Sequence, residues 1–240
     1  MTGNAGSRWR RWRWWLGGGV ALVLLVTVIG PFVFLHIIEG PTPKSLSIRT
    51  ATPSASPSAS SSAVATIASG RYVVATSSQV EYRVAEILFG QSATAVGKTS
   101  SVTGSMTLQS TNVTAANFTV PLASVKSNES LRDDQFRTRI MDVPMYPDAV
   151  FTLTHPIALG TLPAVAKIVT VQATGTLAMH GVTRSVTFSI ETEYTGTEFE
   201  VSGSFPITFS NWDIQNPSGG PAQVGSSGAM EFLLYLSPSA

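Results

Sequence analysis

From Gly70 to the end of the chain, apolar and polar residues alternate in most segments. Val171, Leu177 and Met179, for example, are separated by threonine, glutamine and small residues. A period of two is typical of β-strands that bury one face and expose the other. The pattern predicts eight strands, at residues 72–88, 95–108, 113–122, 149–156, 165–180, 182–194, 198–210 and 227–237.

Several of these strands are long, and short turns join many of them. Long antiparallel strands with short turns favour a closed barrel, because closure leaves no free sheet edge. The predicted fold class is therefore all-β, an extended eight-stranded antiparallel barrel with one short capping helix. Such a barrel is wide enough to hold either packed side chains or one small ligand. The alternation alone favours packed side chains.

The capping helix is predicted to begin at Ser130. The spacing of Ser130 and Asp133 fits a capping box, and Asp133 and Asp134 would lie in the first turn, where the helix dipole favours carboxylates. Two prolines downstream end the helix. We expect the helix to cover one mouth of the barrel, with Arg132, Asp133 and Tyr146 fixing it there.

Two different patterns precede the barrel, which is predicted to occupy residues 70–240. Residues 16–38 contain no charged residue, and as a helix they would span roughly 35 Å, more than a bilayer core of about 30 Å. Residues 1–15 combine arginines with tryptophans, as expected of a cytoplasmic tail at a membrane surface. Residues 39–69 are rich in Pro, Ser, Thr and Ala and predict a flexible linker.

These patterns predict a single-pass protein of the cell membrane, with a cytoplasmic N-terminus and an extracytoplasmic barrel. A cleaved signal peptide is the less favoured alternative, because its apolar region would be shorter. The chain has no cysteine, which excludes disulfides and thiol catalysis and favours a bacterial envelope protein. The 15 basic and 14 acidic residues balance, so no nucleic-acid partner is expected.

The paired carboxylates of Asp133 and Asp134 raise the question of a hydrolase. The sequence offers them no partner, since it contains neither a G-x-S-x-G elbow nor an H-E-x-x-H metal motif. His155 and His180 stand apart from each other, and His180-Gly181 is expected to be a hairpin turn. The sequence therefore predicts no enzyme, no metal and no cofactor, and the hydrolase is the least favoured hypothesis.

Two long motifs resemble the YceI-like family. They are LRDDQFRTRIMDVPMYPDAVFTL at residues 131–153 and GTLAMHGVTRSVTFSI at residues 175–190, and ITFSNWDIQNPSGG at 207–220 is similar to the family's later segment. The resemblance covers roughly residues 70–237. It implies a lipocalin-like eight-stranded barrel whose tunnel binds a long isoprenoid chain, such as a polyprenyl phosphate or a quinone tail. It therefore raises ligand binding above side-chain filling.

The chain departs from the family pattern at four polar positions. Val74 stands where relatives carry Asp, Ser77 and Glu86 where they carry His, and Ser210 where an Arg is common. No role of those groups in binding a head group or a metal is carried over. The apolar tunnel does not depend on them.

The resulting hypothesis is a membrane-anchored extracytoplasmic protein that holds an isoprenoid-type lipid and is not an enzyme. Its alternative is a non-catalytic cell-surface interaction module with a fully packed barrel. The residues expected to line the tunnel are Val80, Tyr82, Phe118, Phe151, Leu177, Met179, Phe188, Phe205 and Phe232.

Overall fold

The computed structural model of the chain describes residues 43–48, 67–160, 167–220 and 222–239. The predicted transmembrane segment 16–38 and the tail before it lie outside these residues, so both stay predictions. Within the described ranges, no helix is both long and apolar enough to cross a bilayer.

The described residues form one antiparallel sheet with short helical turns. The strands are β1 (Gly70–Val74), β2 (Gln79–Leu88), β3 (Gln91–Thr99), β4 (Thr103–Gln109), β5 (Asn112–Pro121), β6 (Asp148–Leu153), β7 (Ile157–Ala158), β8 (Val169–Met179), β9 (Val182–Tyr194), β10 (Phe199–Thr208), β11 (Ala222–Val224) and β12 (Ser227–Pro238). The helical elements are 3₁₀ turns at Leu122–Ser124 and Phe209–Trp212, helix α1 at Ser130–Gln135 and a π-helical turn at Phe136–Ile140.

The sheet closes on itself. Its strand order runs β1-β4-β5-β6-β8-β9-β10-β12, and β12 pairs back to β1. β12 pairs with both β1 and β2, so β1 and β2 together make up one strand of the barrel. β4 pairs with β1 and β3 pairs with β2, so β3 and β4 together make up the neighbouring strand. Counted along these continuous paths, the barrel has eight antiparallel strands. The predicted closed eight-stranded barrel with one short helix is thus confirmed.

The first two predicted strands are each interrupted in the structure. Between β1 and β2 the chain turns at Ala75–Ser78, where the buried Ser78 hydroxyl accepts a hydrogen bond of 2.9 Å from the Tyr235 amide of β12. The serine hydroxyl here takes the place of a backbone acceptor on the strand that pairs with β12. The alternation of apolar and polar residues does not predict this interruption. β3 begins at Gln91 rather than at residue 95. The two-residue turn at Phe89-Gly90 places Gln91 directly opposite Leu88, so the pairing of β3 with β2 starts there.

One end of the barrel is filled by large side chains. Tyr72, Leu108, Phe199 and Leu236 are almost completely buried there, and the rings of Tyr72 and Phe199 meet edge to face at 5.1 Å. We call this the closed end. α1 and the π-helical turn lie at the opposite end, which we call the mouth.

Residues 43–48 belong to the predicted linker, and they contact the outer wall of the barrel. The Leu46 amide donates to the Glu231 carboxylate at 3.1 Å, and the Arg83 guanidinium donates to the Pro43 carbonyl. Glu231 and Glu81 face each other across β12 and β2, and the Arg83 Nε donates to both carboxylates, at 3.1 and 2.7 Å. A short clamp therefore ties the chain that precedes the barrel to its wall.

The clamp makes stability depend on pH through Glu81. Burial raises the pKa of Glu81 above its usual value of 4.5, while Arg83 opposes the rise and Glu231 adds to it. The folded state thus holds a proton that the unfolded state releases at the same pH. This contribution to the free energy of unfolding grows as pH falls through the raised pKa and levels off below about 4.5.

Glu81→Gln removes this titration. We expect the wild type to gain stability relative to the variant as pH is lowered from about 7 to about 5. Urea unfolding of residues 43–240 at both pH values measures the difference. Glu191→Gln, at an exposed position on β9, is the matched control, and an equal pH response of the wild type and Glu81→Gln would contradict the assignment.

Candidate functional site

The barrel contains two adjoining cavities. The inner cavity has a volume of about 120 Å³ and lies toward the closed end, where Phe199 and Leu236 form part of its wall. The mouth cavity has a volume of about 150 Å³ and lies beneath Phe136 of the π-helical turn. Four residues line both cavities, namely Val80, Val120, Ala149 and Met230. The interior is therefore hollow, and the alternative of a fully packed barrel does not fit it.

The cavity walls are almost entirely apolar. Thr192 is the one polar side chain among the described residues that line the inner cavity. The mouth cavity adds the Tyr82 side chain to a wall of aliphatic, aromatic and methionine side chains, and it borders Glu81, whose carboxylate pairs with Arg83 on the outer wall. A site of this kind binds by removing apolar surface from water, because it offers very few polar partners.

Glycines in the strands keep the aromatic rings flat against the wall. A Cβ atom placed on Gly203 would lie 2.5 Å from the ring of Phe232, its cross-strand partner. At Gly97 the same atom would lie 2.3 Å from the ring of Tyr82, which is again its partner. Because each ring occupies the space above a glycine, it does not extend across the lumen.

Gly175 repeats this arrangement on β8. A Cβ atom there would lie 2.5 Å from the ring of Phe151 and 2.4 Å from the Thr152 carbonyl oxygen. Phe151 in turn packs edge to face on Phe188, with ring centroids 5.6 Å apart. The aromatic rings thus form a lining in contact with one another rather than a plug.

The structure places all nine residues predicted to line the tunnel on the cavity walls. The inner cavity is lined by Val80, Phe118, Phe151, Leu177, Phe188, Phe205 and Phe232, and the mouth cavity by Val80, Tyr82 and Met179. Contact of these residues with a ligand stays a prediction.

Tyr82 supplies a hydroxyl to the mouth cavity. Its ring stacks on Phe136, with centroids 5.3 Å apart and planes inclined by 12°. Burial raises the pKa of Tyr82 to about 12, with Arg132 opposing the rise and Asp133 and Glu86 adding to it. The hydroxyl is therefore neutral at any physiological pH. No described residue forms a hydrogen bond with it, so it can donate one to a molecule in the cavity.

Polar contacts fix the helical cap over the mouth. Arg132 of α1 forms an ion pair of 3.2 Å with Glu86 near the end of β2. Arg139 of the π-helical turn donates to the Pro217 carbonyl at 2.9 Å, and Pro217 also lines the mouth cavity. The Glu86 carboxylate thus helps to hold the cap.

The predicted capping box is wrong. The residue before the helix, Glu129, takes the N-cap position in an extended conformation, and no side chain caps the helix. The Asp133 carboxylate instead accepts hydrogen bonds from the Ser127 amide at 2.7 Å and from its hydroxyl at 2.8 Å. Ser127 competes successfully for Asp133 because it supplies two donors at once.

The Tyr146 ring contacts the β8–β9 turn, and its role in holding the helix stays a prediction. The ring packs on His180 of the β8–β9 turn, with centroids 5.1 Å apart, and covers the space above Gly181. His180 and Gly181 both have positive φ, at 51° and 77°, which confirms the predicted two-residue hairpin turn. The His180 Nδ1 lies 2.9 Å from the Trp212 carbonyl oxygen, so this histidine is engaged in the turn.

The two aspartates that raised the hydrolase hypothesis are both engaged in the cap. Asp133 is bonded to Ser127, and the Asp134 carboxylate pairs with Arg137 at 2.6 Å. Among the described residues, no group of three or more His, Cys, Asp or Glu side chains is placed to hold a metal ion.

Two features of the site were not predicted from the sequence: the strand glycines that face the aromatic rings, and the contribution of the cap to the wall of the mouth cavity. Gly97, Gly175 and Gly203 interrupt runs of strand-forming residues, and a glycine inside a strand signals the close approach of another group. That signal was present in the sequence. The position of Phe136 over the mouth had no sequence signal, because it depends on how the cap docks on the barrel.

The fold and the cavities define a class of protein, the closed antiparallel β-barrel whose apolar interior can enclose one small ligand. Within that class, the model of the YceI-like domain matches residues 72–235. The chain belongs to the YceI-like family.

Solved structures share the fold at low sequence identity. One is described as a polyisoprenoid binding domain from Saccharophagus degradans implicated in plant cell wall breakdown. It is 14% identical, with a TM-score of 0.57 over 72% of this chain and 100% of that one. Another is BcnA of Burkholderia cenocepacia, 19% identical, with a TM-score of 0.54 over 68% of this chain and 98% of that one. No curated protein matches the chain.

Gly203→Ala tests the role of the glycines. The new methyl group would collide with the Phe232 ring and lie 3.3 Å from Ile190, so we expect the ring to turn into the lumen and the inner cavity to shrink. Strain of this kind costs about 1–3 kcal/mol of stability. A crystal structure and chemical denaturation of the variant measure both effects. Gly219→Ala, which has no atom within 4 Å of the added methyl group, should change neither.

Proposed function

We propose that this chain is a membrane-anchored extracytoplasmic lipid-binding protein that holds an isoprenoid-type lipid in its barrel. The ligand class is a polyprenyl lipid or an isoprenoid quinone, bound by its apolar chain. The single observation that supports the proposal most strongly is the pair of apolar cavities that share part of their walls. The polyisoprenoid-binding description of a structural neighbour agrees with it.

The shape of the interior suits a long, thin chain. Along β12 the walls of the two cavities extend from Gly228 to Leu236, which corresponds to about 26 Å of strand. A compact ligand would fill one cavity, whereas an extended prenyl chain would occupy both. Each Å² of apolar surface that such a chain buries contributes roughly 25 cal/mol, so a long chain binds tightly without polar contacts.

The difference between the two ends of the barrel predicts the orientation of a bound lipid. Large side chains fill the closed end, so the polar head of a lipid would remain at the mouth. The Tyr82 hydroxyl lies there as a neutral donor, and a quinone carbonyl or an ester oxygen can accept its hydrogen bond. The apolar tail would then pass Ala149 and Met230 into the inner cavity.

Membrane attachment and location are the sequence-based part of the proposal. The uncharged segment 16–38 would serve as the anchor, and the arginines before it would remain in the cytoplasm. The barrel would then face the outside of the membrane, and no catalytic role is assigned to it. Detection of the barrel by surface proteolysis of intact cells would test this arrangement.

The ligand itself is tested by mass spectrometry. Residues 43–240, which include the barrel and the clamp, would be purified without detergent and their bound lipids identified. We expect a prenyl lipid in near-stoichiometric amount. Protein that stays lipid-free after incubation with polyprenol and with isoprenoid quinone would refute the proposed function.

Ala149→Phe tests whether one chain occupies both cavities. Ala149 is buried and lines both of them, so a phenyl ring at this position would separate the two. We expect binding of long prenyl chains to fall at least tenfold, while a short prenyl alcohol that fits one cavity keeps its affinity. Val150→Phe, one residue along the same strand and on neither cavity wall, is the control. Equal losses for short and long chains would contradict a ligand that spans both cavities.

Tyr82→Phe tests the polar contact at the mouth. Loss of one hydrogen bond, about 0.5–1.5 kcal/mol, should weaken binding of an isoprenoid quinone roughly two- to tenfold. Binding of a prenyl hydrocarbon should not change, because the stacked ring remains. Tyr72→Phe is the matched control, since its hydroxyl bonds to the Ala68 carbonyl at the closed end. Equal affinities of wild type and Tyr82→Phe for the quinone would show that the Tyr82 hydroxyl does not bond to the ligand.

A further inference from the structure

We propose that the mouth of the barrel docks on a lipid bilayer through an apolar rim formed by Ile87, Phe89, Leu131 and Met145. The proposal extends the proposed function by naming the surface through which a lipid would pass between membrane and lumen. Its first test measures docking alone and does not require that any lipid be bound.

The exposed apolar residues are concentrated at one end of the molecule. Among the described residues, the large apolar side chains that remain exposed are Ile87 at 43%, Phe89 at 52%, Leu131 at 67% and Met145 at 66%. All four lie at the mouth. Single exposed apolar residues are ordinary, but their restriction to one end that also opens into an apolar cavity marks an interaction surface.

Three separate elements bring the rim together. Ile87 and Phe89 lie at the β2–β3 hairpin, and Leu131 lies on α1, which the Arg132–Glu86 ion pair ties to β2. Met145 lies in the loop before β6, next to Tyr146, whose ring packs on the β8–β9 turn. The rim therefore surrounds the mouth rather than forming one local patch.

Phe89 occupies a turn position that usually favours other residue types. Phe89 and Gly90 both have positive φ, at 51° and 79°. A two-residue turn of this kind favours Asn or Asp at its first position, and a bulky side chain there is strained. A phenylalanine that is 52% exposed at the tip of a hairpin thus does not match the preference of its turn, and such mismatches are expected at functional surfaces.

The predicted membrane anchor, together with the path of the chain at the clamp, points to a bilayer as the partner. The clamp holds Pro43 at Arg83, whose cross-strand partner Ala229 lines the mouth cavity. The predicted membrane segment ends at residue 38, and the stretch from there to Pro43 spans at most about 18 Å. From Arg83 to the hairpin tip at Phe89 is about 20 Å of strand, which is roughly 15 Å along the barrel axis at the usual strand tilt of about 35–45°. The bilayer surface implied by the anchor is therefore within reach of the rim.

The clamp also shortens the effective tether. A free linker over residues 39–69 would let the barrel stand about 30 Å from the membrane. With residues 43–48 bound to the wall, the connection on the membrane side is reduced to residues 39–42. The barrel is thereby kept at the bilayer instead of above it.

The absence of cysteine from the chain allows a direct test in the full-length protein. Single-cysteine variants Leu131→Cys and Met145→Cys would be labelled with an environment-sensitive fluorophore and reconstituted in phosphatidylcholine–phosphatidylglycerol vesicles. Thr197→Cys, at an exposed position in the β9–β10 turn of the closed end, is the control. We expect blue-shifted emission and quenching by nitroxide-labelled lipid at residues 131 and 145 but not at 197. Labels at 131 and 145 that stay as water-exposed as the control would overturn the proposal.

A second measurement separates docking from lipid binding. The double variant Leu131→Gln and Met145→Gln changes exposed residues and should fold normally. If the rim docks, uptake of polyprenol from vesicles should slow by on the order of tenfold, while uptake from detergent micelles stays at the wild-type rate. Unchanged uptake from vesicles would contradict the proposal that the rim docks on a bilayer. Failure to take up polyprenol from either source would refute the proposed function and leave the fluorescence result on docking intact.

Discussion

The hollow interior depends on the contact between inward glycines and aromatic rings of the neighbouring strands. At Gly97, Gly175 and Gly203, a ring occupies the space that a side chain would otherwise fill, so the ring lies along the wall. An eight-stranded barrel is narrow enough for phenylalanine side chains to fill it, and the sequence supplies many of them. Without the glycines the same rings would cross the lumen. The capacity to hold a ligand is therefore set in part by glycines that have no side chain of their own.

The two ends of the barrel differ in what stabilises them. The closed end is held by buried packing, in which Tyr72 and Phe199 take the largest part. The mouth combines polar contacts, among them the Arg132–Glu86 ion pair and the Arg139–Pro217 hydrogen bond, with the buried packing of Phe136 and Met141 from the cap. The mouth is the end at which the cavity adjoins exposed apolar residues.

The clamp on the outer wall connects the barrel to the chain that precedes it. Two glutamates face each other there across paired strands, an arrangement that is unfavourable unless a cation lies between them. Arg83 supplies the charge and also bonds to Pro43, so the barrel wall and the preceding segment share one arginine. The cluster is buried, with Glu81 at 3% and Glu231 at 7% exposure, and it determines where the preceding segment leaves the wall.

The sequence by itself determined the strands, the closed barrel and the identity of the apolar side chains on its walls. Strand alternation has a fixed period, so the inward set containing Phe151, Phe188 and Phe232 could be read directly, and two long motifs indicated the family. Only the tertiary structure decided whether those side chains fill the interior, since this depends on glycines on neighbouring strands that lie far apart in the chain. It also decided the hydrogen bonding of Asp133, which has a suitable partner in both Ser130 and Ser127, and the packing of Tyr146 on a distant turn. Local periodicity specifies which face a residue occupies, whereas the space in front of that face is set by contacts between segments that are remote in sequence.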